Sequence, residues 1–276
     1  MKLKPILRMF KQGFLFLFGR SYLQPFWEKA FKLSLIAMNI GGGSSFSQSG
    51  EKQALEFIRK RLVEFKLKDP WVIFDVGANV GGYSKMVIQA LKPAGHPFKI
   101  YAFEPARETF NVLQSSLSNS SEVILNSYAL GENSGTAELY SDSALSGLAS
   151  FYNRDLAYID SALDSRETVK IKRLDEFCLE NSIEQIDFLK MDVEGHELAV
   201  LTGAGKMLTN KKIRFLQFEF GGANIDSRSY FKDFYYLLSP NYKIYRILRS
   251  GLYEIKNYKE IYEVFITTNF LAELKR

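Results

Sequence analysis

"WVIFDVGANVGGYSKMV", residues 71–87, decides the fold. β-Favouring residues run as far as Asp75, glycines follow at Gly77, Gly81 and Gly82, and a helical pattern begins near Gly82. A strand that ends in an acid, turns on glycine and opens a helix is the unit of a doubly wound α/β sheet. Ligands bind such sheets at the carboxyl ends of the strands. The motif reads D-x-G-x-N-x-G: Gly77 permits the turn, and Gly81 or Gly82 lets the backbone approach a ligand closely. A dinucleotide loop carries G-x-G-x-x-G, because a pyrophosphate must sit on the helix N-terminus. Here Asn79 stands at the second glycine and Asp75 precedes the first. A carboxylate beside the loop suits a cationic ligand better than a pyrophosphate.

Two further blocks extend this reading. "IYAFEP" ends a second strand in Glu104, and Pro105 stops the strand and turns the chain. An acid at that tip can accept both ribose hydroxyls of an adenosine. "IDFLKMDVEGHELAVLTGAGKML" ends a buried strand in four polar residues within six positions: Asp192, Glu194, His196 and Glu197. The carboxyl edge of the sheet is where α/β enzymes put their chemistry. His196 is one of two histidines, and a flanking carboxylate would poise it near neutral pH as a base for a hydroxyl proton. Asp192 and Glu194 could instead present oxygens to Mg²⁺, although no motif here demands a metal.

Outside these blocks, alternation continues. Strands are expected at Val72–Asp75, Lys99–Glu104, Val123–Leu125, Ile186–Met191, Ile213–Phe220, Tyr242–Ile247 and Tyr262–Thr267. Helices are expected near Glu51–Phe65, with Ser49 as cap, and at Gly82–Leu91, Arg107–Leu117, Leu174–Asn181, His196–Thr202 and Tyr230–Leu238. "LGENSGTAELY" has hairpin character, and the serine-rich stretch 141–167 reads as a lid or insertion. The glycine and serine run Asn39–Glu51 separates an N-terminal arm and linker, residues 1–50, from a main domain, residues 51–276.

Composition restricts the setting. A single cysteine, Cys178, excludes an intrachain disulfide and fits a reducing, cytoplasmic compartment. Residues 1–32 hold seven Lys/Arg and one acid, a charge of +6, so the other residues carry 29 basic and 30 acidic groups, a charge of −1. The basic balance belongs to the arm, and nothing in the body suggests nucleic-acid binding. On a helical wheel Leu3, Ile6, Leu7, Phe10, Phe14 and Leu17 share one face, opposite Lys4, Arg8 and Lys11. The plain reading is a helix packed on the domain, and the alternative is a peripheral, interfacial membrane helix. The apolar run Gly13–Phe18 is too short to span a bilayer, which needs about 20 residues.

Together "FDVGANVGGYS", "FEP", "ALGENSG", "IDFLKMDVEGHELAVLTGA" and "IRFLQFEF" resemble the FkbM family of S-adenosylmethionine-dependent methyltransferases, over about residues 72–247. The resemblance implies an α/β fold of the class I methyltransferase kind: a Rossmann-like, seven-stranded, mostly parallel sheet with helices on both faces and a reversed last strand. The N-terminal helical arm would be an extension to it. It implies S-adenosylmethionine as cofactor. Asp75, Gly77, Ala78, Asn79 and Gly81, with Tyr83 and Ser84 at the helix start, would surround its methionine part. Glu104, backed by Pro105, would hold the ribose, Ala129 and Leu130 would lie near the adenine, and Asp192 would face the cofactor or the reaction. Members methylate hydroxyl oxygens, and many relatives lie in polysaccharide or glycolipid pathways. The expected acceptor is thus a small molecule or a glycan- or lipid-linked hydroxyl. His196 is the favoured base, Asp192 the alternative, and Glu219 an orienting acid. Two rival readings are a nicotinamide-dependent oxidoreductase, disfavoured by Asn79, and a non-catalytic nucleotide-binding scaffold, disfavoured by the 192–197 cluster.

Overall fold

A computed structural model describes residues 3–42 and 49–276, with side chains from residue 8 onward. Residues 43–48 of the expected linker, and the wheel positions Leu3, Lys4, Ile6 and Leu7 as side chains, lie outside the described residues.

The core strands are β1 (Trp71–Val76), β2 (Phe98–Phe103), β3 (Val123–Asn126), β7 (Ile186–Met191), β8 (Ile213–Phe220), β9 (Tyr242–Leu248), β10 (Gly251–Glu254) and β11 (Thr268–Leu274). They form one sheet in the order β10-β9-β11-β8-β7-β1-β2-β3. Neighbours from β8 through β7, β1 and β2 to β3 pair in parallel, while β11 runs antiparallel to β8 and β9. This is the mostly parallel methyltransferase sheet with its reversed strand, and the short β10 adds an eighth strand at the edge. Central strands such as β7 are buried throughout, as strands covered on both faces must be.

Helices α3 (Glu51–Glu64), α4 (Gly82–Leu91) and α5 (Arg107–Ser116) cover one face. Helices α6 (Leu174–Glu180), α7 (Glu197–Gly203), α8 (Gly205–Thr209) and α10 (Phe231–Leu238) cover the other. A four-residue helix, α9 (Ala223–Asp226), follows β8. The arm is made of α1 (Leu3–Phe18) and α2 (Gln24–Ala37).

Three expectations are corrected. The reversed strand is Thr268–Leu274 rather than Tyr262–Thr267. The Glu263 carboxylate accepts the backbone N–H groups of Phe231 and Lys232 at 2.8 and 2.9 Å, capping α10, so this segment turns instead of extending. Val264, Phe265 and Ile266 are apolar too but stay partly exposed, whereas Phe270, Leu271 and Ala272 are buried in the strand that follows. The hairpin expected in residues 130–140 is split: β4 (Ala129–Gly131) and β5 (Gly135–Ser141) both pair with β6 (Ser165–Arg173), which lies between them in a second sheet. The insertion of 141–167 is therefore the long connection from β5 to β6. Finally, the described side chains of α1, residues 8–18, are exposed and not packed on the domain.

On the α10 face the rings of Phe218, Phe234 and Phe270 stack, with centroids 4.8 and 5.5 Å from that of Phe218. Phe218 is fully buried. Phe218→Ala is expected to destabilise the fold by about 3–5 kcal/mol in urea unfolding. A loss below about 1 kcal/mol would mean this cluster is not the core of the sheet.

Candidate active site

The loop after β1 is held by backbone and by Glu104. The N–H groups of Gly77 and Ala78 donate to the Phe103 carbonyl at 3.0 and 2.9 Å, and that of Asn79 donates to Glu104 Oε2 at 3.0 Å. Glu104 Oε1 accepts from the Ala106 N–H at 2.9 Å. The tips of β1 and β2 are thus stitched together around one carboxylate, whose pKa burial raises to about 7. Gly77 has φ of +77°, and a Cβ there would lie 1.9 Å from the Asp192 carbonyl oxygen. The β1 loop and the β7 tip touch because this residue has no side chain.

Beneath the loop lies a buried polar chain. Asp75, with no solvent exposure, accepts from Ser84 Oγ at 2.6 Å and faces the Lys190 ammonium at 3.5 Å. Lys190 Nζ lies 3.3 Å from Asp192 and donates to the Gly77 carbonyl at 3.4 Å. It also sits 4.9 Å over the Tyr83 ring. Burial opposes its charge, but Asp192, Asp75 and Glu51 outweigh that cost and hold its pKa above the usual lysine range. The Tyr83 hydroxyl donates to Gln217 at 2.8 Å, and Gln217 Nε2 donates to Glu51 at 2.8 Å. Asp75, Ala78, Gly81, Tyr83 and Ser84 therefore form the floor of the loop and do not line the cavity. Lys190, Gln217 and Glu51 were missed by sequence reasoning. A lysine inside the apolar run of a central strand, two positions before an acid, was the available signal.

Above this floor opens a cleft of about 670 Å³, its solvent mouth included. It is lined by Gly77, Asn79, Glu104, Pro105, Ala129 and Leu130, by Asp192 and Glu194, and by Ser146, Gly147, Ala149 and Phe151 of the β5–β6 connection. That connection is pinned to the β7 tip. Ser150 Oγ donates to the Glu194 carbonyl at 2.7 Å, and Arg154 forms ion pairs with Glu194 at 2.6 Å and Asp226 at 3.4 Å. So the insertion supplies one wall of the site.

The acids at the β7 and β8 tips converge. Asp192, Glu194 and Glu219 each place one carboxylate oxygen within 4.8 Å of the others. Burial, with Asp192 close by, raises Glu194 to about 7 despite Arg154. Burial, with Asp192, Glu194 and Glu197, pushes Glu219 well above the usual carboxylate range. Glu197 turns away: its Oε1 accepts the N–H groups of Val193 and Gly195, and burial raises its pKa to about 8. His196 is not among the lining residues. Its ring packs 4.6 Å from that of Phe151, and its Nε2 is shielded, with no hydrogen-bond partner among the described residues. A Cβ on Gly131 would sit 2.8 Å from that nitrogen. Burial lowers the imidazole pKa to about 4, which makes it a poor base at neutral pH.

These shifts have a measurable consequence. Glu104, Glu194 and Glu197 are raised in the folded chain, so it binds more protons than the unfolded chain between about pH 4.5 and their folded values of about 7 to 8. Their stabilising contribution is complete at low pH and lost as pH rises. His196 acts oppositely, but only between about pH 4 and 6.5. The thermal midpoint is expected to fall from pH 6.5 to 8.5, with a shallower fall in Glu197→Gln. A midpoint that rises over this range would contradict the buried, protonated acids.

The Methyltransferase FkbM domain model matches residues 75–250, from the acid near the end of β1 to the turn before β10. The 2-O-methyltransferase NoeI of Sinorhizobium fredii is 26% identical over 172 residues, covering 59% of this chain and 68% of that protein. Methyltransferase 1 of Beauveria bassiana is 29% identical over 181 residues, covering 58% and 71%. Among solved structures, methyltransferase FkbM from Methylobacillus flagellatus KT aligns with a TM-score of 0.44 at 18% identity. That alignment covers 74% of this chain and 43% of the other, so this chain spans less than half of that protein. With the family match extending over more than half of its length and through every strand tip that lines the cleft, the chain belongs to the FkbM methyltransferase domain family and is a methyltransferase.

Proposed function

We propose that this methyltransferase uses S-adenosylmethionine to methylate a hydroxyl oxygen of a sugar, glycolipid or related natural-product acceptor. The carrying observation is one cleft that joins the Gly77–Asn79 loop, Glu104 and the carboxylates of Asp192 and Glu194. The likeness to a 2-O-methyltransferase supports oxygen as the atom methylated. When bound, the cofactor would supply an electrophilic methyl group on a cationic sulfur.

The residues divide the work as follows. Glu104 spends one lone pair per oxygen on the loop and keeps others for ribose hydroxyls. Ala129, Leu130 and Phe151 offer apolar walls to an adenine. Asp192, about 42% exposed at its side chain and tied to Lys190, presents negative charge to a cationic centre. An alcohol needs a base as its oxygen attacks, and in-line transfer otherwise needs positioning. Glu194 suits that role: it lines the cleft, is aimed by Arg154, and has a pKa of about 7. Its carboxylate takes the hydroxyl proton, while Glu219, whose pKa burial and the neighbouring acids raise, stands beside it as the orienting acid. The role first expected of His196 passes to Glu194 because the imidazole is turned into the protein. A second reading, favoured by the 4.8 Å convergence, makes Asp192, Glu194 and Glu219 ligands of a divalent cation. Lys190 and Arg154 already neutralise two of the three, which favours the base.

Glu104→Gln is expected to weaken cofactor binding in isothermal titration by roughly 1.5–3 kcal/mol, the worth of charge-assisted hydrogen bonds. Unchanged affinity would remove Glu104 from the ribose site.

Methyl transfer from labelled cofactor to glycans and lipids of the producing cells tests the base. Glu194→Gln should lose about 10²–10⁴ in turnover with cofactor affinity retained, and His196→Ala should keep most activity. Parent kcat/KM should rise with pH through about 7, since the base acts deprotonated. An inactive His196→Ala with normal affinity would return the role to the imidazole, and loss of activity in EDTA, regained with Mg²⁺, would support the cation reading.

A further inference from the structure

We propose that the N-terminal arm is a docking surface for an anionic lipid bilayer, with α1 and α2 lying in the headgroup plane. Of 27 exposed large apolar side chains among the described residues, twelve fall between Met9 and Ile36, Phe10, Phe16, Tyr22 and Ile36 each being about 70% exposed or more. A patch this dense on a water-facing element calls for a partner surface. Nor is the arm simply unfolded chain resting in space. Trp27 Nε1 donates to the Phe18 carbonyl at 2.9 Å, and its ring meets those of Phe14 and Phe18 at 5.8 and 6.4 Å. The two helices are thus clamped together while their outer apolar residues stay uncovered.

Charge selects the occupant. Residues 1–32 carry +6 and the rest of the chain −1. Two arms meeting face to face would bring like charges together, whereas anionic headgroups neutralise Arg8, Lys11, Lys29 and Lys32 as the aromatics enter the interface. No helix among the described residues is long and apolar enough to cross a membrane. The arm joins the domain where this matters. Leu35 and Ile40 are buried, Asn39 Nδ2 donates to the Ile247 carbonyl at 3.1 Å, and the Gly41 N–H donates to that of Thr267 at 2.8 Å. These residues lie at the end of β9 and the approach to β11, on the sheet edge that bears the acid cluster. A docked arm therefore holds that edge near the headgroups on a tether about 20 Å long, the length of α2 at about 1.5 Å per residue.

The test is flotation of the full chain with phosphatidylcholine vesicles, with and without phosphatidylglycerol. The chain should float with the phosphatidylglycerol vesicles, roughly tenfold less with phosphatidylcholine alone, and less again at high salt. The double variant Phe10→Asp, Phe16→Asp should lose flotation at least tenfold with an unchanged thermal midpoint. The double variant Arg8→Glu, Lys11→Glu should lose it mainly on the anionic vesicles. A parent chain that stays unbound with anionic vesicles overturns the proposal. So does one that forms a dimer in light scattering, broken by the Phe10 and Phe16 changes, with flotation unaffected: a second copy would then cover the arm.

Discussion

Lys190 lies beneath the carboxyl edge of the sheet, and the candidate site is arranged around it. Its ammonium lies between Asp75 and Asp192, against the Gly77 carbonyl and over the Tyr83 ring. An ammonium buried to this degree is costly unless its partners are near and correctly aimed, and losing either side leaves an uncompensated charge. The interaction therefore couples three elements: the last turn of β1, the tip of β7 and the first turn of α4. Through Tyr83 and Gln217 the same chain reaches Glu51 at the start of α3. The loop can stay open to a ligand above because it is held from below.

The acids show the other side of this arrangement. Asp192, Glu194, Glu197 and Glu219 crowd the carboxyl edge of two neighbouring strands, and burial with mutual repulsion favours protonation of several of them. Lys190 pairs with Asp192 and Arg154 with Glu194, the two acids of this group that line the cleft. Arg154 comes from the β5–β6 connection, so the segment that varies most freely in such a fold here aims a carboxylate as well as walling the pocket.

Much of this was legible in residues alone. The glycine spacing after Asp75 and the polar end of the Ile186–Met191 strand located the edge of the sheet, because strand-end acids and turns follow local rules. Asp192, Glu104 and the Gly77 loop do meet in one cleft. What misled was proximity in sequence. His196 lies two positions after Glu194, yet a tight turn with Gly195 at φ +98° swings it toward Gly131 and the rings of Phe151 and Tyr152. The reversed strand was placed six residues early because Tyr262–Thr267 has the same apolar pattern as the true strand and uses it to pack on α10.

The sequence by itself determined the strand order's raw material, the glycine loop, the acid at the tip of the second strand, the charge of the arm and the family. These rest on local conformation, on composition and on motifs read along the chain. Only the tertiary structure decided which carboxylates face solvent and which are floor, that Lys190 ties Asp75 to Asp192, and that Arg154 reaches Glu194 across forty positions. It also left the arm's apolar side chains uncovered. Burial and charge pairing are properties of what surrounds a residue in space, and those neighbours are distant in sequence.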